Sequence, residues 1–235
     1  MLSAVRQALR PAQNDDARRA SVFQQLVQRP RGIIPARAQV DGAERVALFR
    51  SMAEKAQASC SEVLHPADVP NAVAAYLRSQ NLPSRLRCGT DPRLAAMPWH
   101  DTALEVALGP SDGRDPIAVS HAFAGVAETG TLVLVSGADN PSTLNMLPDT
   151  HLVVVCAADI VGDYETVWER IRNAYGHGKM PRTVNWITGP SRSGDIEQTI
   201  LLGAHGPRRL HLILVLEREP NAIEVKSNRL SVSDT

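Results

Sequence analysis

Apolar positions follow two alternating rhythms along the chain. Val46, Phe49, Ala53 and Ala56 fall at i, i+3, i+7 and i+10, the stripe of an amphipathic helix beginning near Asp41. Tyr164, Val167, Trp168, Ile171 and Tyr175 repeat that spacing, and Gly176-His177-Gly178 then supplies the glycine that suits a left-handed helix end. Between them lie short runs rich in Val, Leu and Ile, separated by Gly, Asn, Pro and Asp. These predict strands over 59–64, 84–88, 103–108, 117–123, 131–135 and 151–157, with a helix over 67–79. Beyond the 164–175 helix the pattern predicts a strand over 183–188, a loop over 189–194, a helix over 195–202, a turn over 203–209 and a strand over 210–216.

Strands that alternate with helices imply an α/β domain with a mostly parallel sheet flanked by helices. The runs 117–123 and 131–135 face each other across Gly125 to Gly130, which predicts a hairpin that inserts an antiparallel element into that sheet. The first 40 residues differ, with short helices over 2–9 and 17–27 and then Arg29-Pro30-Arg31-Gly32-Ile33-Ile34-Pro35, where proline and glycine stop a helix. The expected organisation is an N-terminal helical arm over 1–40, which packs on the domain or on a partner, one domain over 41–217, and a polar tail over 218–235.

Composition narrows the function classes. The 235 residues carry 25 Lys+Arg and 25 Asp+Glu, so there is no cationic surplus to displace counterions from nucleic acid. No apolar run approaches the roughly 20 residues that span a bilayer, and Met1 to Arg10 lacks the apolar centre of a signal peptide, so the cytoplasm is the expected compartment. Cys60, Cys88 and Cys156 are an odd, widely spaced set without a Cys-x-x-Cys pair, which argues against a disulfide framework and against a self-contained iron–sulfur or zinc-thiolate site. His65, His100, His121, His151, His177 and His211 form no His-x-x-x-His pair, so no metal is expected.

Three segments carry candidate chemistry. In Thr188-Gly189-Pro190-Ser191-Arg192-Ser193-Gly194-Asp195-Ile196-Glu197-Gln198, a strand end passes through a small-residue loop into the predicted helix. Two readings fit. Either the free N–H groups and dipole at that helix start receive a carboxylate or phosphate, or Asp195 and Gln198 form a capping box and Glu197 merely suits the dipole. In Gly125-Val126-Ala127-Glu128-Thr129-Gly130-Thr131 a lone carboxylate stands among small and apolar residues. Desolvation would raise its pKa and prepare it for acid–base or nucleophilic work, whereas a solvated turn would leave it ordinary. In Gly203-Ala204-His205-Gly206-Pro207-Arg208-Arg209, His205 suits proton exchange near neutral pH and Arg208 suits a carboxylate. The same residues also fit a glycine cap, a proline turn and solvated arginines. Neither a phosphate loop nor a dinucleotide fingerprint is matched.

Taken together and in this order, the segments 125–134, 189–197 and 203–211 resemble the LUD-domain family, in its lactate-utilisation branch. The resemblance covers roughly residues 41–216. It implies a fold like the NagB/RpiA/CoA-transferase superfamily and a part in the oxidation of L-lactate to pyruvate alongside iron–sulfur partner proteins. On that reading this chain holds no cofactor and the clusters sit in the partner subunits, a division that agrees with its cysteine usage. Where the family often has Thr-Ala, this chain has Ser193-Gly194, which keeps the hydroxyl and loosens the loop.

The resemblance transfers no catalytic residue. Glu128 and His205 are the expected proton-handling groups. Thr129, Gly130, Ser191, Arg192, Asp195, Glu197, Gly206 and Arg208 are the expected binding set, with Arg192 or Arg208 on a substrate carboxylate. The alternative is a free-standing enzyme acting on a small anionic substrate such as an acyl-CoA or sugar phosphate, with Glu128 as nucleophile or base.

Overall fold

Six runs of small and branched apolar residues lie side by side in one sheet. They are β1 (Ser59–Val63), β2 (Arg85–Cys88), β3 (Glu105–Leu108), β4 (Ile117–His121), β7 (Thr150–Cys156) and β12 (Arg209–Val215), in the order β1-β12-β7-β4-β2-β3. Every pairing in this sheet is parallel. This is a computed structural model of the chain, and it describes residues 3–5, 16–176, 178–196 and 199–217. The expected mostly parallel α/β architecture is the one observed.

The inner strands are buried on both faces, as a parallel sheet requires, and their side chains divide by the two-residue period of a strand. Leu152, Val154, Ile213 and Val215 pack with Val69, Val73 and Leu77 of helix α3 (Val69–Ser79). Val153, Val155, Leu212 and Leu214 turn the other way, onto Phe49 and Ala53 of helix α2 (Gly42–Lys55). Each such fully buried aliphatic side chain contributes about 1.5–3 kcal/mol.

A second, four-stranded sheet lies beyond that face. It is built from β5 (Ala124–Val126), β6 (Thr131–Val135), β8 (Ile160–Val161) and β9 (Val184–Ile187), in the order β8-β5-β6-β9. Leu132 and Leu134 face the core shared with α2. Val126, Val133 and Val161 pack against Val167 and Ile171 of helix α6 (Tyr164–Tyr175). The start of α6 is fixed by Asp163, whose carboxylate accepts the Thr166 N–H at 2.9 Å. Two short helices lie in connections: α4 (Pro92–Ala95) between β2 and β3 of the parallel sheet, and α5 (Ser142–Met146) between β6 of the second sheet and β7 of the first.

Contacts gather the chain into two units, Met1–Ile33 and Ile34–Thr235. The first holds helix α1 (Asp16–Gln28), which buries none of its residues. Residues 34–40, expected in the arm, belong to the second unit, where Ala38 is buried. Of the predicted 2–9 helix, residues 3–5 are helical and the rest lie outside the described residues, as does the 218–235 tail. Among the described residues no helix is long and apolar enough to cross a membrane.

Two expectations need correction. The hairpin does not join 117–123 to 131–135: β4 is an inner strand of the parallel sheet, and it is β5 that pairs antiparallel with β6, in the second sheet. The sequence runs β4 into β5 with only Ala122-Phe123 between them, so the change of sheet leaves no turn signal. The second correction concerns 195–202, which is not a helix. Strands β10 (Arg192–Ile196) and β11 (Thr199–Leu202) form an antiparallel hairpin there. Gly194 weakens a helix, and Ile196, Thr199 and Ile200 are β-branched and favour strand backbone, which outweighs the capping pattern at Asp195.

Candidate functional site

The chain leaving β9 passes through Thr188-Gly189-Pro190-Ser191 and meets the 203–207 loop that enters β12. Three hydrogen bonds centred on Ser191 hold the two loops together. Its N–H donates to Pro207 O at 2.8 Å, its carbonyl accepts Gly203 N–H at 2.9 Å, and its Oγ accepts His205 N–H at 3.3 Å. Gly189 lies so close to the end of α2 that a Cβ built there would sit 2.0 Å from Ala56 O, and its φ is +75°. Only glycine permits that approach.

Where the loops meet, a cavity of about 260 Å³ opens beside the amino ends of β7 and β12. Arg192, Ser191, His205 and Gly206 line it, together with Asn145 of α5 and His151 of β7. Arg192 and His205 are exposed, whereas Asn145 and His151 are buried and form its inner wall. One guanidinium N–H of Arg192 donates to Ala56 O at 3.1 Å, which steadies the side chain and leaves further donors of the fork for an anion. Burial pulls the His151 imidazole down to about 3, so the ring is neutral at ordinary pH.

The Glu-Thr-Gly-Thr segment reaches this cavity through hydroxyls. Thr188, which lines it, has its Oγ1 2.6 Å from Thr131 Oγ1. Thr131 lies 2.7 Å from Thr129 Oγ1 and 2.9 Å from Tyr164 Oη. Gly130 has φ +66°, and a Cβ there would lie 2.2 Å from Ala53 N, so this glycine fits the turn against α2. Glu128 is buried, and its N–H donates to Gly162 O at 3.1 Å. Its carboxylate has no hydrogen-bond partner among the described residues, and Glu128 is not part of the cavity wall.

The expected site residues come together only in part. Ser191, Arg192, His205 and Gly206 converge. Arg208 points instead to Asp149, 3.1 Å away, and does not line the cavity. Asp195 sits on β10, so the helix start that was to receive an anion or carry a capping box is not formed. Glu197 lies outside the described residues.

The sequence reading missed Ser120, Asn145 and His151. Ser120 Oγ lies 3.0 Å from His151 Nε2 and donates to Asn145 Oδ1 at 3.2 Å. Their only signal in the sequence is polarity at the edges of apolar runs.

The carboxyl ends of parallel strands are the usual ligand position in such sheets. A cavity of about 200 Å³ does lie there, beyond β2 and β4, walled by Asp91, Arg93 and His121. Asp91, Arg93 and His121 there already have partners. Arg93 holds Asp91 through two bonds of 3.0 and 2.7 Å, and His121 donates from Nδ1 to Ala122 O while its Nε2 faces the Cys156 thiol at 3.7 Å. At the amino-end cavity, in contrast, two residues of the wall hold buried polar atoms without partners, His151 Nδ1 and Asn145 Nδ2. That difference marks it as the stronger candidate.

No group of three His, Cys, Asp or Glu side chains comes together as a metal site among the described residues. Burial pushes the Cys60 thiol up to about 11 and the Cys88 thiol up to about 12, so both stay protonated at neutral pH.

Comparison with known proteins agrees with the motif reading. Residues 116–215 match the LUD domain family. Over 94 residues the chain is 38% identical to Lactate utilization protein C of Bacillus subtilis (strain 168), a stretch covering 40% of this chain and 39% of that protein. It is 36% identical over 94 residues to Lactate utilization protein C of Geobacillus sp. (strain WCH70), covering 40% and 39%. The protein of that name from Halalkalibacterium halodurans is 31% identical over 121 residues, covering 51% and 52%. The chain thus spans about two fifths to half the length of these curated relatives. Among solved structures, that of a DUF162 family protein from Deinococcus radiodurans superposes with a TM-score of 0.56 at 25% identity, over 75% of this chain and 99% of that one.

Proposed function

From the LUD domain that the chain carries at residues 116–215, we propose that this protein is a cytoplasmic component of an L-lactate oxidation system and that its loop cavity holds a small carboxylate. Relatives named for lactate utilisation support the role. The observation that carries the site is the convergence of Ser191, Arg192 and His205 on one cavity with a permanently charged guanidinium at its mouth. At about 260 Å³ the space suits a ligand of a few heavy atoms better than an acyl-CoA. Arg192 holds the carboxylate, and His205 exchanges a proton beside it. Electrons leave for iron–sulfur clusters in partner proteins, since this chain has no cysteine pattern to hold such clusters itself.

Affinity purification of the full chain from its native cells grown on L-lactate, with mass spectrometry of what co-purifies and an assay of lactate oxidation, tests this reading. It predicts cysteine-rich iron–sulfur proteins and lactate-dependent electron transfer in the eluate. A solitary protein with no such activity would contradict it.

A further inference from the structure

The carboxyl ends of β4 and β7, neighbours in the parallel sheet, bring two reactive side chains together at the opposite end of the sheet from the loop cavity. His121 closes β4 and Cys156 closes β7. The Cys156 sulfur lies 3.7 Å from His121 Nε2, within reach of a thiol hydrogen bond. The other ring nitrogen, Nδ1, is 2.9 Å from Ala122 O.

The bond at Nδ1 fixes the direction of the bond at Nε2. A carbonyl oxygen only accepts, so the ring proton sits on Nδ1 and Nε2 carries a bare lone pair. Burial, with the Arg93 cation beside it, holds the His121 imidazole below its usual value, so the ring is neutral near pH 7. The thiol therefore donates to Nε2, and His121 is placed to take its proton. Arg93, held on Asp91 by bonds of 3.0 and 2.7 Å, also interacts electrostatically with Cys156. A nearby cation stabilises the negative charge that develops on a sulfur as it attacks.

The other two cysteines have no such surroundings. Burial and the Glu54 carboxylate push the Cys60 thiol up to about 11, burial pushes Cys88 up to about 12, and no histidine acts on either sulfur. Cys60 is nevertheless the most open of the three, since Cys88 and Cys156 are buried.

We propose that Cys156 is a second reactive centre of this chain, a thiol that hydrogen peroxide oxidises to sulfenic acid with His121 as the base. Cys156 is 8% exposed, so the electrophile that reaches it is close to water in size, as peroxide is. The sulfur attacks one peroxide oxygen. An S–O bond forms, the O–O bond breaks, sulfur is oxidised and the peroxide is reduced. The thiol proton passes to His121 Nε2 and leaves with the departing hydroxide as water, which returns the ring to its neutral form.

Treatment of the full, reduced chain with hydrogen peroxide near pH 7, with dimedone present to cap sulfenic acid and peptide mass spectrometry to follow each cysteine, tests the proposal. Cys156 should be capped about tenfold or more faster than Cys60, against the order of exposure. His121→Gln should slow Cys156 by about tenfold or more and leave Cys60 within about twofold. Capping of Cys60 ahead of Cys156, or no adduct at Cys156, would overturn the proposal. An unchanged Cys156 rate in His121→Gln would overturn the role of His121 as base. The wild-type ranking decides the matter even where the variant fails to fold.

Discussion

The His205 N–H donates to Ser191 Oγ at 3.3 Å, and this bond joins two segments that the β10–β11 hairpin separates in sequence. It lies on the cavity wall, so it positions the loop as well as closing it. Ser191→Ala removes this bond and keeps the two backbone bonds of Ser191. The expected cost is about 1 kcal/mol in urea unfolding, with a several-fold loss of ligand affinity. Unchanged affinity would mean that the bond does not shape the site.

Arg192 and Arg208 separate cleanly by position. Arg208 pairs with Asp149 on the surface, the two side chains being 51% and 60% exposed, and such pairs contribute at most about 1 kcal/mol. Arg208→Ala should therefore leave carboxylate binding unaltered and shift stability little. Arg192→Ala should lower carboxylate affinity at least tenfold, since a charged hydrogen bond to the ligand is lost. Parallel titrations of the two variants check the contrast.

Gly130→Ala combines left-handed backbone with a Cβ placed 2.2 Å from Ala53 N. The expected destabilisation is about 3 kcal/mol, from the backbone strain and the forced displacement of α2 together. Thermal unfolding should show a large fall in Tm. A small shift would mean that α2 moves freely there.

Acid should weaken the fold through two histidines. Burial holds His151 at about 3 and His211 at about 4, while in the unfolded chain both titrate near 6.5. Above pH 6.5 neither state binds these protons, so the two rings add no pH dependence. Below it the unfolded chain takes up protons that the folded chain refuses, so stability falls with pH until the folded pKa values are reached. At pH 4.5, two pH units below the unfolded value, His151 alone accounts for a loss of about 2.7 kcal/mol. Urea midpoints measured from pH 7.5 to 4.5 should decline accordingly, and a flat series would contradict the burial of these rings.

Much of the fold was legible because period and chemistry agreed. The buried runs at 151–157 and 210–216 have no competing reading, and the stripe Val46, Phe49, Ala53 identifies α2 directly, with Phe49 and Ala53 fully buried. The sequence misled where two signals conflicted. Asp195 and Gln198 look like a helix start, yet Arg192 pairs with Leu202 and Ile196 with Thr199, a tertiary choice that local capping chemistry does not reveal. At the site, Ser191, Arg192 and His205 were visible because they sit in loops, where polar residues advertise themselves. His151 was not. It stands inside a buried strand, and only its packing beside Ser120 and Asn145 gives it a role.

The most direct test of the account is growth on L-lactate as sole carbon source of the native organism with this gene deleted, complemented by the wild-type chain, Arg192→Ala or Arg208→Ala. The account predicts that deletion stops growth on L-lactate and spares growth on pyruvate, that the wild-type chain and Arg208→Ala restore it, and that Arg192→Ala does not. Normal growth of the deletion strain on L-lactate, or full rescue by Arg192→Ala, would contradict it.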